Sequence, residues 1–80
     1  MSIKKYQALT YSVELGTLTK AGEKLGTSQT AVSHLIIDLE NEFGFKLITR
    51  NKKGVSLTEK GKSIYPYIKE RMHLKISAGL

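Results

Sequence analysis

Two amphipathic segments separated only by Gly26 and Thr27 set the strongest constraint on how this chain folds. Residues 18–25 place Leu18, Ala21, Gly22 and Leu25 on one side. Residues 28–43 repeat Val32, Leu35, Ile36, Leu39 and Phe43 at helical spacing. Such a gap is too short for a relaxed loop between antiparallel helices. It suits two helices meeting at a sharp turn that contains Gly, the helix-turn-helix arrangement. Thr17 and Thr27 stand where the two helices want N-caps, and Gly26 and Gly44 where they want to stop.

The flanking sequence supplies the rest of a small fold. Tyr6, Leu9, Thr10 and Val13 form one helical stripe between a Ser2 cap and Gly16. After Gly44 the pattern changes to alternation, with Leu47 and Thr49 predicted on one face of a strand over Lys46–Arg50. Asn51-Lys52-Lys53-Gly54 has turn chemistry and Val55–Leu57 reads as a second strand, making a hairpin. A lone hairpin is marginal in water, so this one must pack on the helices. Thr58 can cap a long final helix with Glu59 in its first turn, running to about Ile76. Pro66 removes a hydrogen bond there and predicts a kink near Lys62–Pro66. The expected fold is mainly α: three helices, a two-stranded hairpin, then a long C-terminal helix.

Charge is distributed unevenly. The 80 residues hold 13 Lys and Arg against 7 Asp and Glu, a net +6 with pI near 9.7. Residues 1–44 sum to −1 and residues 45–80 to +7. A basic half beside a neutral half points to a polyanionic partner, with nucleic acid ahead of an anionic membrane; the plain alternative is a solvated surface. The length allows one domain with a modest core. No apolar run approaches the roughly 20 residues of a membrane span, and the N-terminal sequence lacks a signal-peptide pattern. Cys is absent, so disulfides and thiolate metal sites are excluded. The chain reads as cytoplasmic, with no cofactor and no metal expected.

Three groups of residues carry chemistry. On residues 28–43, subtracting the core stripe leaves Ser28, Gln29, Thr30, Ser33 and His34 at the N-terminal end. Gln pairs bidentately with adenine, Ser and Thr bond bases or phosphates, and a helix N-terminus offers free N–H groups to phosphate. A merely solvated face is usually rich in Lys and Glu, whereas residues 27–34 carry no charged side chain. The hairpin tip, with Lys52 and Lys53, can reach phosphates or a minor groove. Arg50 can bond phosphate, or pair with Glu40 or Glu42. In the last helix Ile64, Ile68 and Met72 lie on one stripe with Tyr65 and Ile76 beside it. Read as exposed, this stripe predicts a partner helix, most simply a second copy about a two-fold axis; the alternative is that it folds back on the first helix. Catalysis is poorly served. His34 and His73 lack second ligands at metal spacing, Glu40 and Glu42 diverge on a helix, and GTSQTAVS lacks a phosphate-loop Lys.

From Tyr6 to Tyr67 the order and spacing resemble the N-terminal winged helix-turn-helix of LysR-type bacterial transcriptional regulators. The resemblance rests on Glu14-x-Gly16, Leu18-Thr19-x-Ala21, Leu25, Ser28-Gln29-x-Ala31-Val32-Ser33, Ile36, Leu39-Glu40, Gly44, Leu47, Arg50, Leu57-Thr58 and Gly61. It implies a DNA-binding winged helix-turn-helix domain over residues 1–57, with the helix-turn-helix at about 18–37 and the wing at about 46–57. Residues 58–80 would be the linker helix through which members dimerise. It implies double-stranded DNA as partner, a homodimer, and base-facing roles for Ser28, Gln29, Thr30, Ser33 and His34. Arg50 falls on a characteristic arginine near the wing, and Lys53 on a wing position that is often basic. Family members continue into a larger effector-sensing domain that nothing in these 80 residues corresponds to. Departures are Gly22 where Ala is usual, and Leu35, Ile37 and Asp38 where polar or basic residues are common. Ile37, off the core stripe, would be exposed or meet a thymine methyl. A second function of a different class stays open at this level: a protein-interaction module pairing through the last helix with a full-length relative.

Overall fold

A computed structural model describes the backbone of residues 3–78 and the side chains of residues 3–72. The Ser2 cap and the placement of Ile76 in the stripe lie outside the described residues. Four helices and one hairpin follow in the order α1 (Ile3–Leu15), α2 (Leu18–Leu25), α3 (Gln29–Phe43), β1 (Ile48–Asn51), β2 (Gly54–Leu57) and α4 (Glu59–Ala78). The fold is the mainly α winged helix-turn-helix with a long final helix that the sequence predicts. α4 runs unbroken as helix across Pro66.

The turn between α2 and α3 shows why the two-residue gap works. Gly26 adopts the left-handed conformation with φ 72°, which only Gly enters without cost. The chain then folds back so that Thr27 N–H donates to the Gly22 carbonyl at 2.8 Å. A Cβ on Gly22 would lie 2.8 Å from the Thr27 carbonyl oxygen, so the missing side chain lets the turn close onto α2. The cap of α3 is Ser28, one residue later than expected, and its Oγ accepts from Ala31 N–H at 3.1 Å. Thr27 instead belongs to the turn, where its N–H closes the end of α2. Thr17 caps α2 as predicted, accepting from Lys20 N–H at 3.1 Å.

The core lies where α1 meets α2, α3 and α4. Leu9, Val32, Ile36, Leu39, Leu47 and Ile68 are all fully buried there. The predicted stripes are the buried ones: Tyr6, Leu9 and Thr10 on α1, Leu18, Ala21 and Gly22 on α2, and Val32, Ile36 and Leu39 on α3. The strand reading needs one correction. Leu47 precedes β1 and is buried, but Thr49 is exposed and Ile48 takes the inward position. The cause is Glu40, whose Oε2 accepts from the backbone N–H of both Leu47 and Ile48 at 2.8 and 3.3 Å. That buried carboxylate holds two successive residues inward, Leu47 just before the strand and Ile48 at its first paired position.

The larger correction concerns α4. Ile68 is fully buried in the chain's own core. Ile64, Tyr65 and Met72 pack half-buried against the same cluster, and Met72 sulfur lies 3.5 Å from the Thr10 hydroxyl. The stripe read as an exposed dimer face is therefore the face that folds back on α1. Ile68 joins Leu9, Leu39 and Leu47 in one apolar cluster, so α4 is part of the core that α1 and α3 build. Packing thus continues across the 57/58 boundary. The Tyr65 hydroxyl is buried without a hydrogen-bond partner among the described residues, and burial, with the Glu14 charge second, raises its pKa. Tyr65→Phe removes an unpaired polar atom and is expected to leave stability unchanged or raise it by up to ~1 kcal/mol, read from urea unfolding.

Candidate nucleic-acid interface

The outward side of α3 is set by its core side. With Val32, Ile36 and Leu39 buried, Ser28, Gln29, Thr30 and His34 are exposed, and Ser33 is half-buried at the edge toward the hairpin. The five residues predicted to read bases thus share one surface. Two of them are held by neighbouring elements. Gln29 Oε1 accepts from the Thr19 hydroxyl on α2 at 3.4 Å. Ser33 Oγ accepts a hydrogen bond from Arg50 Nη2 on β1.

That second contact decides between the alternatives for Arg50. It pairs with neither Glu40 nor Glu42. Glu40 is occupied by the Leu47 and Ile48 amides, with Lys46 Nζ at 3.8 Å from its other oxygen. Glu42 at the end of α3 pairs with Lys5 on α1. The hydrogen bond between them holds the Glu42 carboxyl below the usual carboxylate range and Lys5 above its usual value. Arg50 is left with its guanidinium against the exposed side of α3.

The hairpin is fixed beside α3 by backbone contacts. β1 and β2 pair antiparallel with Ile48 opposite Leu57 and Asn51 opposite Gly54. Val55 N–H donates to the Gly16 carbonyl at 2.9 Å, docking β2 on the α1–α2 corner. At the other end Thr58 donates its hydroxyl to the Lys46 carbonyl at 2.7 Å and its N–H to the Leu47 carbonyl at 3.0 Å. The tip is shaped by Asn51 Oδ1, which accepts from Lys53 N–H at 2.9 Å. Lys52 and Lys53 are exposed and have no acidic partner among the described residues.

A concavity of about 240 Å³ joins these parts, lined by Thr17, Thr19, Gln29, Arg50, Lys52 and Lys53 among others. It brings the start of α2, the start of α3 and the hairpin tip to one face. A groove of about 450 Å³ runs beside it between α3 and β1, with Ser33, Ile37, Lys46, Thr49 and Arg50 in its walls. Sequence reasoning missed Thr19, Lys46 and Thr49 as members of this face. Thr19 lies two residues after the α2 cap, and Thr49 was hidden by the assumed strand alternation, which placed it on the face of Leu47.

The helix-turn-helix geometry agrees with comparison to known proteins. The family model described as bacterial regulatory helix-turn-helix protein, lysR family, matches residues 3–62. The chain belongs to the LysR family. Among similar LysR-family relatives, the uncharacterised HTH-type transcriptional regulator YvbU of Bacillus subtilis (strain 168) is 41% identical over 71 residues, 88% of this chain and 24% of that protein. The nitrogen assimilation regulatory protein nac of Klebsiella aerogenes is 36% identical over 67 residues, 84% of this chain and 22% of that protein. The chain therefore spans about a quarter of the length of these relatives, which are transcriptional regulators and not enzymes. The solved complex of the BenM DBD with benA site 1 DNA is similar with TM-score 0.86 and 28% identity, covering 98% of this chain and 88% of that one. The CbnR DBD–DNA complex shares the fold, with TM-score 0.89 at 23% identity over 99% of this chain and 91% of that one.

Proposed function

We propose that this chain is the operator-reading module of a LysR-type transcriptional regulator, binding double-stranded DNA as a homodimer in the bacterial cytoplasm. The observation that carries the reading is the α3 face: uncharged, hydrogen-bonding side chains flanked by the cations of the hairpin. α3 enters the major groove, Gln29 reads a base edge, and Ser28, Thr30, Ser33 and His34 add base or phosphate contacts. Arg50, Lys52 and Lys53 bind the backbone alongside. Relatives of known structure bound to DNA support this assignment.

The dimer face needs a new location, because Ile68 faces the chain's own core. The opposite side of α4 offers Tyr67, 46% exposed with the Arg71 guanidinium 5.2 Å from its ring centre, flanked by exposed Ser63, Pro66 and Glu70. This side of α4 supports two-fold pairing. The competing idea of a protein-interaction module rested on an exposed Ile64/Ile68/Met72 stripe and loses that support.

Two expected results follow from the DNA reading. Gln29→Ala is expected to weaken binding to the preferred operator by about 1–3 kcal/mol and binding to random duplex much less. Equal losses on both would remove Gln29 as a base reader. A dimer neutralising about six phosphates is expected to give a slope near −5 for log K against log salt. Fluorescence anisotropy across a salt series measures it, and a slope near zero would contradict phosphate contact by the hairpin.

A further inference from the structure

The readout side of α3 carries one large apolar side chain in water. Ile37 is 43% exposed. It stands one helical turn beyond Ser33 and two beyond Thr30, on the same outward stripe. Its neighbour Ile36 is buried with Val32 and Leu39, so the core face of the helix is complete without it. A β-branched apolar residue is a poor choice for a solvated helix surface, since it loses χ1 freedom and leaves apolar area in water.

Single exposed apolar residues are common, and exposure alone assigns nothing. What distinguishes Ile37 is its surroundings. From Thr27 to Ile37 the sequence holds no formal charge, and Thr30, Ser33 and His34 share its side of the helix. Across the groove of about 450 Å³ that Ile37 helps to line stand Lys46 and Arg50. Lys46 there lies 3.8 Å from Glu40, which also lines the groove, so Arg50 is the cation set toward a phosphate. In the DNA reading, an apolar side chain between the proposed base-reading groups and Arg50 faces the base edges of a major groove. The one apolar substituent presented there is the C5-methyl group of thymine.

We infer that Ile37 is a specificity residue that selects thymine at one position of each half-site by contact with the C5-methyl group. This rests on the DNA-binding reading above and adds to it a defined chemical preference. The contact buries Ile37 and the methyl group together and costs no hydrogen bond. Cytosine, lacking the methyl, leaves Ile37 partly in water.

The test uses a selected operator and a series in which each thymine is replaced in turn by deoxyuridine, which removes only the methyl group. Affinities are measured for the full chain, Ile37→Ala and Ile37→Val, with melting curves to confirm that each variant folds. One deoxyuridine position per half-site is expected to weaken the unaltered chain about four-fold, the equivalent of one buried methyl. Ile37→Ala is expected to bind thymine and deoxyuridine forms alike, and Ile37→Val to keep the difference. Discrimination that survives intact in Ile37→Ala, or no position sensitive to methyl loss, overturns the inference. Unchanged affinity of Ile37→Ala for every DNA also overturns it. Failure to recover any operator overturns the DNA reading itself, whereas an operator without methyl dependence removes only the role of Ile37.

Discussion

Ile68→Ala is expected to lower the unfolding free energy by about 2–5 kcal/mol, the range for truncating a fully buried aliphatic side chain. Ile68 has no exposed surface and belongs to the same cluster as Leu9, Leu39 and Leu47. For a domain of this size each kcal/mol lowers the melting temperature by about 4–8 °C. Because the contact is within one chain, the deficit is expected to be the same at protein concentrations a hundred-fold apart. Melting curves at two such concentrations decide it. A deficit that disappears on dilution would return Ile68 to a subunit interface and refute the packing of α4 on α1.

Gly61→Ala is expected to destabilise the protein by about 1–3 kcal/mol, the cost of overpacking, although helix propensity alone favours Ala over Gly by about 1 kcal/mol. A Cβ at Gly61 would lie 2.2 Å from the Leu47 carbonyl oxygen and 3.1 Å from Thr58 Oγ1. That carbonyl cannot retreat freely. It accepts from Thr58 N–H at 3.0 Å, and the Leu47 amide is tied to Glu40 at 2.8 Å. Moving it disturbs the lead-in to β1 and so the setting of Arg50 against α3. The urea midpoint of the variant measures the effect. A raised midpoint would show that α4 shifts away from Leu47 without penalty.

The helices and the tight turn were legible because local signals agreed with tertiary demands. Thr17, Gly26 and Gly44 mark element ends in the structure as they do in the sequence, and the 3.6-residue stripes on α2 and α3 are the buried ones. The exposed α3 face that we propose reads bases followed by subtraction from the α3 stripe. Apart from the one-residue shift of the α3 cap to Ser28, the misreadings of α4 and of the first strand come from contacts that local pattern does not show. An apolar stripe on α4 looks the same whether a partner or α1 covers it, and only the packing of Ile68 distinguishes them. Glu40, seven residues before Leu47, overrides the alternation around Thr49 by binding two amides. The sequence left Arg50 between phosphate, Glu40 and Glu42, and only the fold commits the two carboxylates elsewhere and brings Ser33 to the guanidinium. Gly22 read only as a departure from the usual Ala, whereas the Thr27 carbonyl pressed against it leaves no room for a Cβ in the turn as this chain forms it.

The central claim is that the α3 face reads DNA sequence, and selection from a randomised duplex pool near physiological salt tests it most directly. The expected result is a two-fold motif whose half-sites lie about one helical turn apart, recovered by the unaltered chain and lost or relaxed in Gln29→Ala. Retention of DNA without any motif would mean that the cations of the hairpin bind phosphate alone, and would contradict the assignment of α3 as the reader.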